Sequence, residues 1–65
     1  MQVFNVQGMT CGHCVKAVTQ AVQAQDAAAK VEVDLAARQV RVHSELAQEQ
    51  ILNAIREEGY QAEVA

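Results

Sequence analysis

The chain has no proline and no tryptophan, and a single phenylalanine and a single tyrosine are its only aromatic residues. Its core must therefore come mainly from Val, Ala, Leu and Ile, within a composition that is 51% hydrophobic. At 65 residues the chain has room for one small domain, so we predict a single domain over residues 1–65. A domain of this size buries only about 60% of the surface of its unfolded chain, so its core is marginal.

Basic residues are also few, since five Lys and Arg against eight Asp and Glu give a net charge of −3. The two signs are interspersed, so the chain lacks a basic patch and we predict no nucleic-acid partner. No stretch approaches the roughly 18 consecutive apolar residues that span a bilayer. The first residues lack the positive and apolar regions of a signal peptide. The sequence therefore predicts a cytosolic protein without membrane insertion.

Four short runs alternate apolar and polar residues, which is typical of strands with one buried face. The second and third runs are joined by the tight connection Ala36-Ala37-Arg38, which favours a hairpin. The runs are residues 2–6, 29–35, 40–43 and 60–64.

Two stretches space their apolar residues three and four apart, as amphipathic helices do. The first extends from about His13 to about Gln25, with Thr10 as its expected N-cap. The second includes Leu46 and Ile55 and ends at Gly59. The resulting order, β-α-β-β-α-β, predicts an α+β fold of the ferredoxin-like class. We expect a four-stranded antiparallel sheet with both helices on one face.

Both cysteines, Cys11 and Cys14, lie between the first strand and the first helix. The N-terminus of a helix favours anions and lowers the pKa of a nearby thiol, so we expect Cys14 to form a thiolate readily. Two thiolates suit Cu(I), a soft ion, whereas a closed zinc site would use four ligands. A disulfide across this spacing would close too small a loop to stabilise the chain much. Inert, buried cysteines are the structural alternative.

Three residues near the pair are candidates for supporting the site. Met9 is expected in the core rather than on the metal, because its side chain is apolar and adaptable. His13 could add a ligand, tune the cysteine or have no role. Adjacent residues of a helix face different directions, which disfavours binding of one ion by both His13 and Cys14. Tyr60 follows the glycine that ends the second helix, and either shields the site or caps the core.

The stretch Gly8-Met9-Thr10-Cys11-Gly12-His13-Cys14 resembles the metal loop of heavy-metal-associated domains. That family comprises small copper chaperones and the N-terminal modules of copper-transporting P-type ATPases. The resemblance extends to Val33-Asp34-Leu35 and to Gly59-Tyr60, and so covers essentially the whole chain.

This resemblance implies that Cys11 and Cys14 bind Cu(I), that Met9 is buried and anchors the loop, and that Tyr60 lies near the metal, as in bacterial members. It further implies a cytosolic chaperone, not an enzyme, that passes Cu(I) to a P-type ATPase by thiolate exchange. Two exposed sites of this kind can also pair around copper, so a copper-bridged homodimer is a further expectation.

Three other functions stay open. Cys-Gly-His-Cys is also the active-site tetrad of protein disulfide isomerases, which makes a thiol-disulfide oxidoreductase the main alternative. No Trp precedes Cys11, the chain has no proline, and it is short for that fold, so these features count against it. A mercury- or zinc-binding relative of the same fold is the second alternative, although no carboxylate adjoins the pair. Copper sensing or buffering without delivery is the third.

Overall fold

The structure, a computed structural model, describes residues 1–9 and 12–65. Its elements follow the predicted β-α-β-β-α-β order, which confirms the element types. They are β1 (Gln2–Gln7), α1 (Gly12–Gln23), β2 (Lys30–Asp34), β3 (Gln39–His43), α2 (Gln48–Glu57) and β4 (Gln61–Val64).

The four strands form one antiparallel sheet in the order β2-β3-β1-β4. Because β1 lies between β3 and β4, Phe4 is opposite Val40 and Val6 is opposite Ala62. The alternation of each strand turns these residues to the same side of the sheet. This topology confirms the ferredoxin-like class.

Both helices cover that side of the sheet. Helix α1 contributes Val18 and Val22 to the core, and α2 contributes Ile51 and Ile55. The same cluster contains the inward residues of the strands, so the core is one apolar layer between sheet and helices. Phe4 is its largest fully buried side chain. Within the described residues no buried side chain is polar or charged.

The register brings the β2–β3 turn, the end of β1 and the α2–β4 corner to the same end of the sheet. The Val6 N–H donates to the Arg38 carbonyl at 2.8 Å, which places the β2–β3 turn beside the end of β1. Gln7 lies opposite Gln61, so the connection from α2 to β4 reaches the same end. Gly8, which follows β1, therefore lies beside the α2–β4 corner.

Helix α1 and strand β2 are each shorter than the sequence predicts, because side chains bond to the backbone at their ends. The Ala28 N–H donates to Asp26 Oδ1 at 3.0 Å, which turns the chain soon after α1 ends at Gln23. Asp34 Oδ1 likewise accepts from the Ala37 N–H at 3.0 Å and starts the turn that ends β2. Such local bonds compete with helix and sheet bonding.

Leu46 lies before α2 rather than within it, since the N-cap of α2 is Ala47. The Ala47 N–H donates to Gln50 Oε1 at 2.9 Å. Leu46 packs against the cluster that contains Ile51, and these two positions are those of a hydrophobic staple. At the other end, Gly59 has φ +93 and terminates α2, as predicted.

No helix within residues 1–9 and 12–65 is long and apolar enough to cross a membrane.

Candidate metal centre

Cys14 lies in the first turn of α1, at the end of the sheet where β1 finishes. Its side chain is half-buried and packs against the core. Backbone N–H groups in the first turn of a helix lack intrahelical partners, and the positive end of the helix dipole favours a thiolate there. The helix adds no acidic side chain in that turn. This position in a helix favours the thiolate form of a cysteine, and metal binding by Cys14 stays a prediction.

The partner cysteine, Cys11, lies outside the described residues, as does Thr10, the expected N-cap. That both cysteines bind one ion therefore stays a prediction. Within residues 1–9 and 12–65, no three His, Cys, Asp or Glu side chains come together. The described residues thus do not assemble the four-ligand set of a structural zinc site.

Met9 is part of the core and is only 7% exposed. The residue that follows Gly8 is thus held in the interior, as the resemblance implies. A thioether packed among apolar side chains would have to leave them in order to reach a metal at the surface. The structure therefore favours Met9 as an anchor of the segment rather than as a ligand.

His13 lies one residue before Cys14 and is exposed. Lys16, the only formally charged residue of α1, is exposed as well. Both side chains are therefore in solvent, while Cys14 packs inward. Whether His13 adds a ligand, tunes Cys14 or has no role stays a prediction.

Tyr60 and Gly8, far apart in sequence, meet at this end of the sheet. A Cβ atom built on Gly8 would lie 3.5 Å from Cδ1 of Tyr60. The ring is half-buried, packs against the core and borders the backbone that leads into the cysteine segment. Gly8 has φ +96, a left-handed conformation that favours glycine. The α2–β4 corner thus lies against the backbone just after β1, three residues before Cys11.

Arg56 makes a contact at the α2–β4 corner that the sequence does not predict. Arg56, in the last turn of α2, donates from Nη2 to the Ala62 carbonyl at 2.7 Å and so joins α2 to β4. The only sequence signal was a basic residue three positions before Gly59, which is common at the ends of helices and specifies no particular acceptor.

Replacing Gly8 with alanine is expected to destabilise the fold by about 1–2 kcal/mol, the cost of a left-handed conformation for a residue with a Cβ. The added methyl would make only an ordinary contact of 3.5 Å with Tyr60, so the backbone is the source of the cost. Urea unfolding followed by circular dichroism measures the change.

Gly12→Ala is the matched control. Gly12 lies in α1, and its added Cβ would meet no described atom within 4 Å apart from its chain neighbours and the backbone of its own helix. Alanine should therefore be neutral there, or stabilising by up to about 1 kcal/mol. Equal destabilisation by both substitutions would show that the conformation of Gly8 is not what matters.

Comparisons with known proteins agree with this architecture. The model of the family described as "Heavy-metal-associated domain" matches residues 3–61. The copper chaperone CopZ of Staphylococcus aureus is 40% identical over 62 residues, which cover 91% of this chain and 91% of that protein.

Two solved structures extend the comparison to the fold. The copper chaperone Atx1 from Synechocystis PCC6803 superposes with a TM-score of 0.93 at 40% identity, covering 97% of this chain and 100% of its own. A copper binding domain from HMA7, a P-type ATPase, gives a TM-score of 0.84 at 26% identity, covering 98% and 90% respectively.

Proposed function

The chain belongs to the heavy-metal-associated domain family, and we propose that it is a copper chaperone that binds Cu(I) through Cys11 and Cys14. The observation that supports this most is the position of Cys14, half-buried in the first turn of α1. A thiolate is favoured there, and Cu(I) is a soft ion that suits sulfur ligands. We treat residues 1–65 as one heavy-metal-associated domain.

Copper is the cargo of this protein, so the site must release it as well as bind it. Two sulfur ligands leave Cu(I) open to a third thiolate. A cysteine of the acceptor attacks the bound ion, a three-sulfur intermediate forms, and one bond to this chain persists until a second acceptor sulfur replaces it. No electron is transferred and no covalent bond within either protein changes, so the protein is a carrier and not an enzyme.

We propose that the acceptor is a copper-transporting P-type ATPase, through its metal-binding domains. The support is the likeness in fold to the copper binding domain of HMA7. Donor and acceptor of the same fold would present their cysteines on equivalent helix ends, which makes direct exchange between them geometrically simple. We place the exchange in the cytosol, where thiols are kept reduced. A copper-bridged homodimer would form in the same way, with a second copy as acceptor.

The neighbouring residues would act on the site without binding the ion. Met9, buried in the core, would hold the segment that carries Cys11. Tyr60, beside Gly8, would shield the bound ion from solvent. His13, exposed next to Cys14, would tune that cysteine through its charge.

A metal competition under anaerobic, reducing conditions tests this proposal. We expect one Cu(I) per chain, held against a competing chelator, with Zn(II) unable to displace it, since the pair falls short of the four ligands of zinc. Hg(II) serves as the comparison for a second soft ion. Incubation of the loaded chain with a copper-binding domain of a P-type ATPase should then move copper to that domain. Sedimentation with and without Cu(I) detects a copper-bridged dimer.

Two results would contradict the proposal. One is Cu(I) binding no tighter than that of a simple dithiol such as dithiothreitol. The other is rapid dithiol–disulfide turnover of a substrate in the absence of metal, which would favour the oxidoreductase.

A further inference from the structure

The side chain of Arg56 closes the α2–β4 corner. Its Nη2 atom donates to the Ala62 carbonyl at 2.7 Å, across the turn that contains Gly59 and Tyr60. Arg56 and Tyr60 also line one shallow surface depression. A bond from a guanidinium to a carbonyl is charge-assisted and stronger than one between neutral groups. Arg56 and Ala62, on either side of the turn, are thus joined by a direct hydrogen bond.

The Ala62 carbonyl, which Arg56 binds, points away from the neighbouring strand β1. The Val6 N–H donates to Arg38 on the β3 side, and the N–H and C=O of a strand residue point the same way. Val6 and its partner Ala62 are therefore a pair without mutual backbone hydrogen bonds. Since β4 is an edge strand, the Ala62 carbonyl points off the edge, where no strand meets it.

In sequence Tyr60 lies between Arg56 and Ala62, the two residues that this bond joins. Its ring borders Gly8. The 3.5 Å approach of Cδ1 to the Cβ position of Gly8 is the point where the α2–β4 corner meets the backbone just after β1. The Arg56–Ala62 bond therefore closes the short stretch of chain that holds Tyr60, and the Tyr60 ring in turn contacts Gly8.

We propose that Arg56 is a positioning residue for the metal centre. Its bond to Ala62 holds the Tyr60 ring against Gly8, and the ring in turn shields one side of the proposed copper site from solvent. This inference rests on the proposed copper-carrying function. Loss of the bond would let the corner open, expose the ring, and make bound Cu(I) more accessible to an attacking thiolate.

The first measurement is made on the metal-free protein and does not depend on copper. Tyr60 is the only tyrosine and the chain has no tryptophan, so its intrinsic emission reports this corner alone. We expect Arg56→Met, which keeps the aliphatic stem and removes the donors, to raise the quenching of this emission by acrylamide. Arg56→Lys, which keeps one charged donor group, should restore part of the protection.

The second measurement is the rate of Cu(I) transfer from the loaded chain to a competing chelator under anaerobic conditions. We expect Arg56→Met to speed transfer roughly fivefold, the effect of losing one ordinary hydrogen bond, because exposure of Arg56 to solvent offsets the extra strength of a charge-assisted bond. The affinity for Cu(I) should change less than the rate, because both sulfur ligands are retained. In a Tyr60→Leu background, Arg56→Met should add no further acceleration.

Arg38→Met is the matched control, since Arg38 is exposed at the same end of the sheet and its loss removes the same charge. An equal effect of Arg38→Met on the transfer rate would mean that charge alone is responsible, and would overturn the proposal. Wild-type quenching and transfer in a folded Arg56→Met variant would overturn it too. If the wild-type chain fails to hold Cu(I), the copper function fails, while the quenching experiment still decides whether Arg56 positions Tyr60.

Discussion

Cys14→Ser is expected to weaken Cu(I) binding by more than about 100-fold, because loss of a ligand exceeds the 10–100-fold cost of losing an outer hydrogen-bond partner. A serine hydroxyl is a poor ligand for a soft ion, and the remaining thiolate would hold copper alone. The fold should persist with a loss of about 1 kcal/mol or less, since Cys14 is only half-buried and serine has nearly the same shape. Chelator competition and urea unfolding measure the two effects separately.

Cys11→Ser should weaken binding to a similar degree, because we propose that the two sulfurs share the ion. Ala17→Ser is the control: it adds a hydroxyl to a half-buried position one turn along α1 and removes no sulfur. Its copper affinity should equal that of the wild type. Wild-type affinity in either cysteine variant would exclude a two-thiolate site.

Alternation along the strands was enough to predict the sheet. Phe4 and Val6, and then Val40 and Val42, are spaced two apart in sequence and all turn to the core. The helical spacing of Val18 and Val22 predicted α1 for the same reason. Each of these patterns records burial on one face, which is a property of neighbouring residues and is therefore visible in the sequence.

Element ends were less predictable, because side chains of single residues decide them. Asp26 and Asp34 accept bonds from nearby backbone N–H groups and end the regular pattern early. Leu46 has the spacing of a helical residue, yet it packs from outside α2 in the position before its N-cap. Apolar periodicity does not separate these cases, since a staple residue lies on the same side as the helix it precedes.

Some features of the candidate site could likewise be predicted from the sequence, and others could not. The two cysteines could be identified from their spacing, and the placement of Cys14 in the first turn of a helix followed from the pattern around it. The approach of Tyr60 to Gly8 depends on the pairing of β1 with β4, which periodicity does not specify. The family resemblance implied only that Tyr60 lies near the metal, which stays a prediction. The bond from Arg56 to Ala62 has no sequence signature, because any exposed carbonyl would serve as acceptor.

The two aromatic residues have separate places in this fold. Phe4 is fully buried at the centre of the sheet, whereas Tyr60 is half-buried at the end of the sheet where β1 finishes. Because the remaining core side chains are aliphatic or Met9, stability depends disproportionately on Phe4. A change at Phe4 should therefore act on the whole fold, and a change at Tyr60 chiefly on the site.

Phe4→Ala is expected to destabilise the protein by about 3–5 kcal/mol, since it removes a fully buried ring and leaves a cavity. A chain of this length has a total stability of roughly 3–10 kcal/mol, so a large part of the variant population should be unfolded at room temperature. Phe4→Leu keeps most of the volume and should cost roughly half as much. Thermal unfolding by circular dichroism measures the series.

Val3→Ala is the control from the same strand, because Val3 precedes Phe4 and faces the other side of the sheet, half-exposed. Its loss should cost about 1 kcal/mol, since less apolar surface returns to water. Bound Cu(I) should raise the unfolding temperature of Phe4→Ala, because a ligand that prefers the folded state shifts the equilibrium toward it. Equal effects of Phe4→Ala and Val3→Ala would mean that the helices do not cover the Phe4 side of the sheet, and the core described above would be wrong.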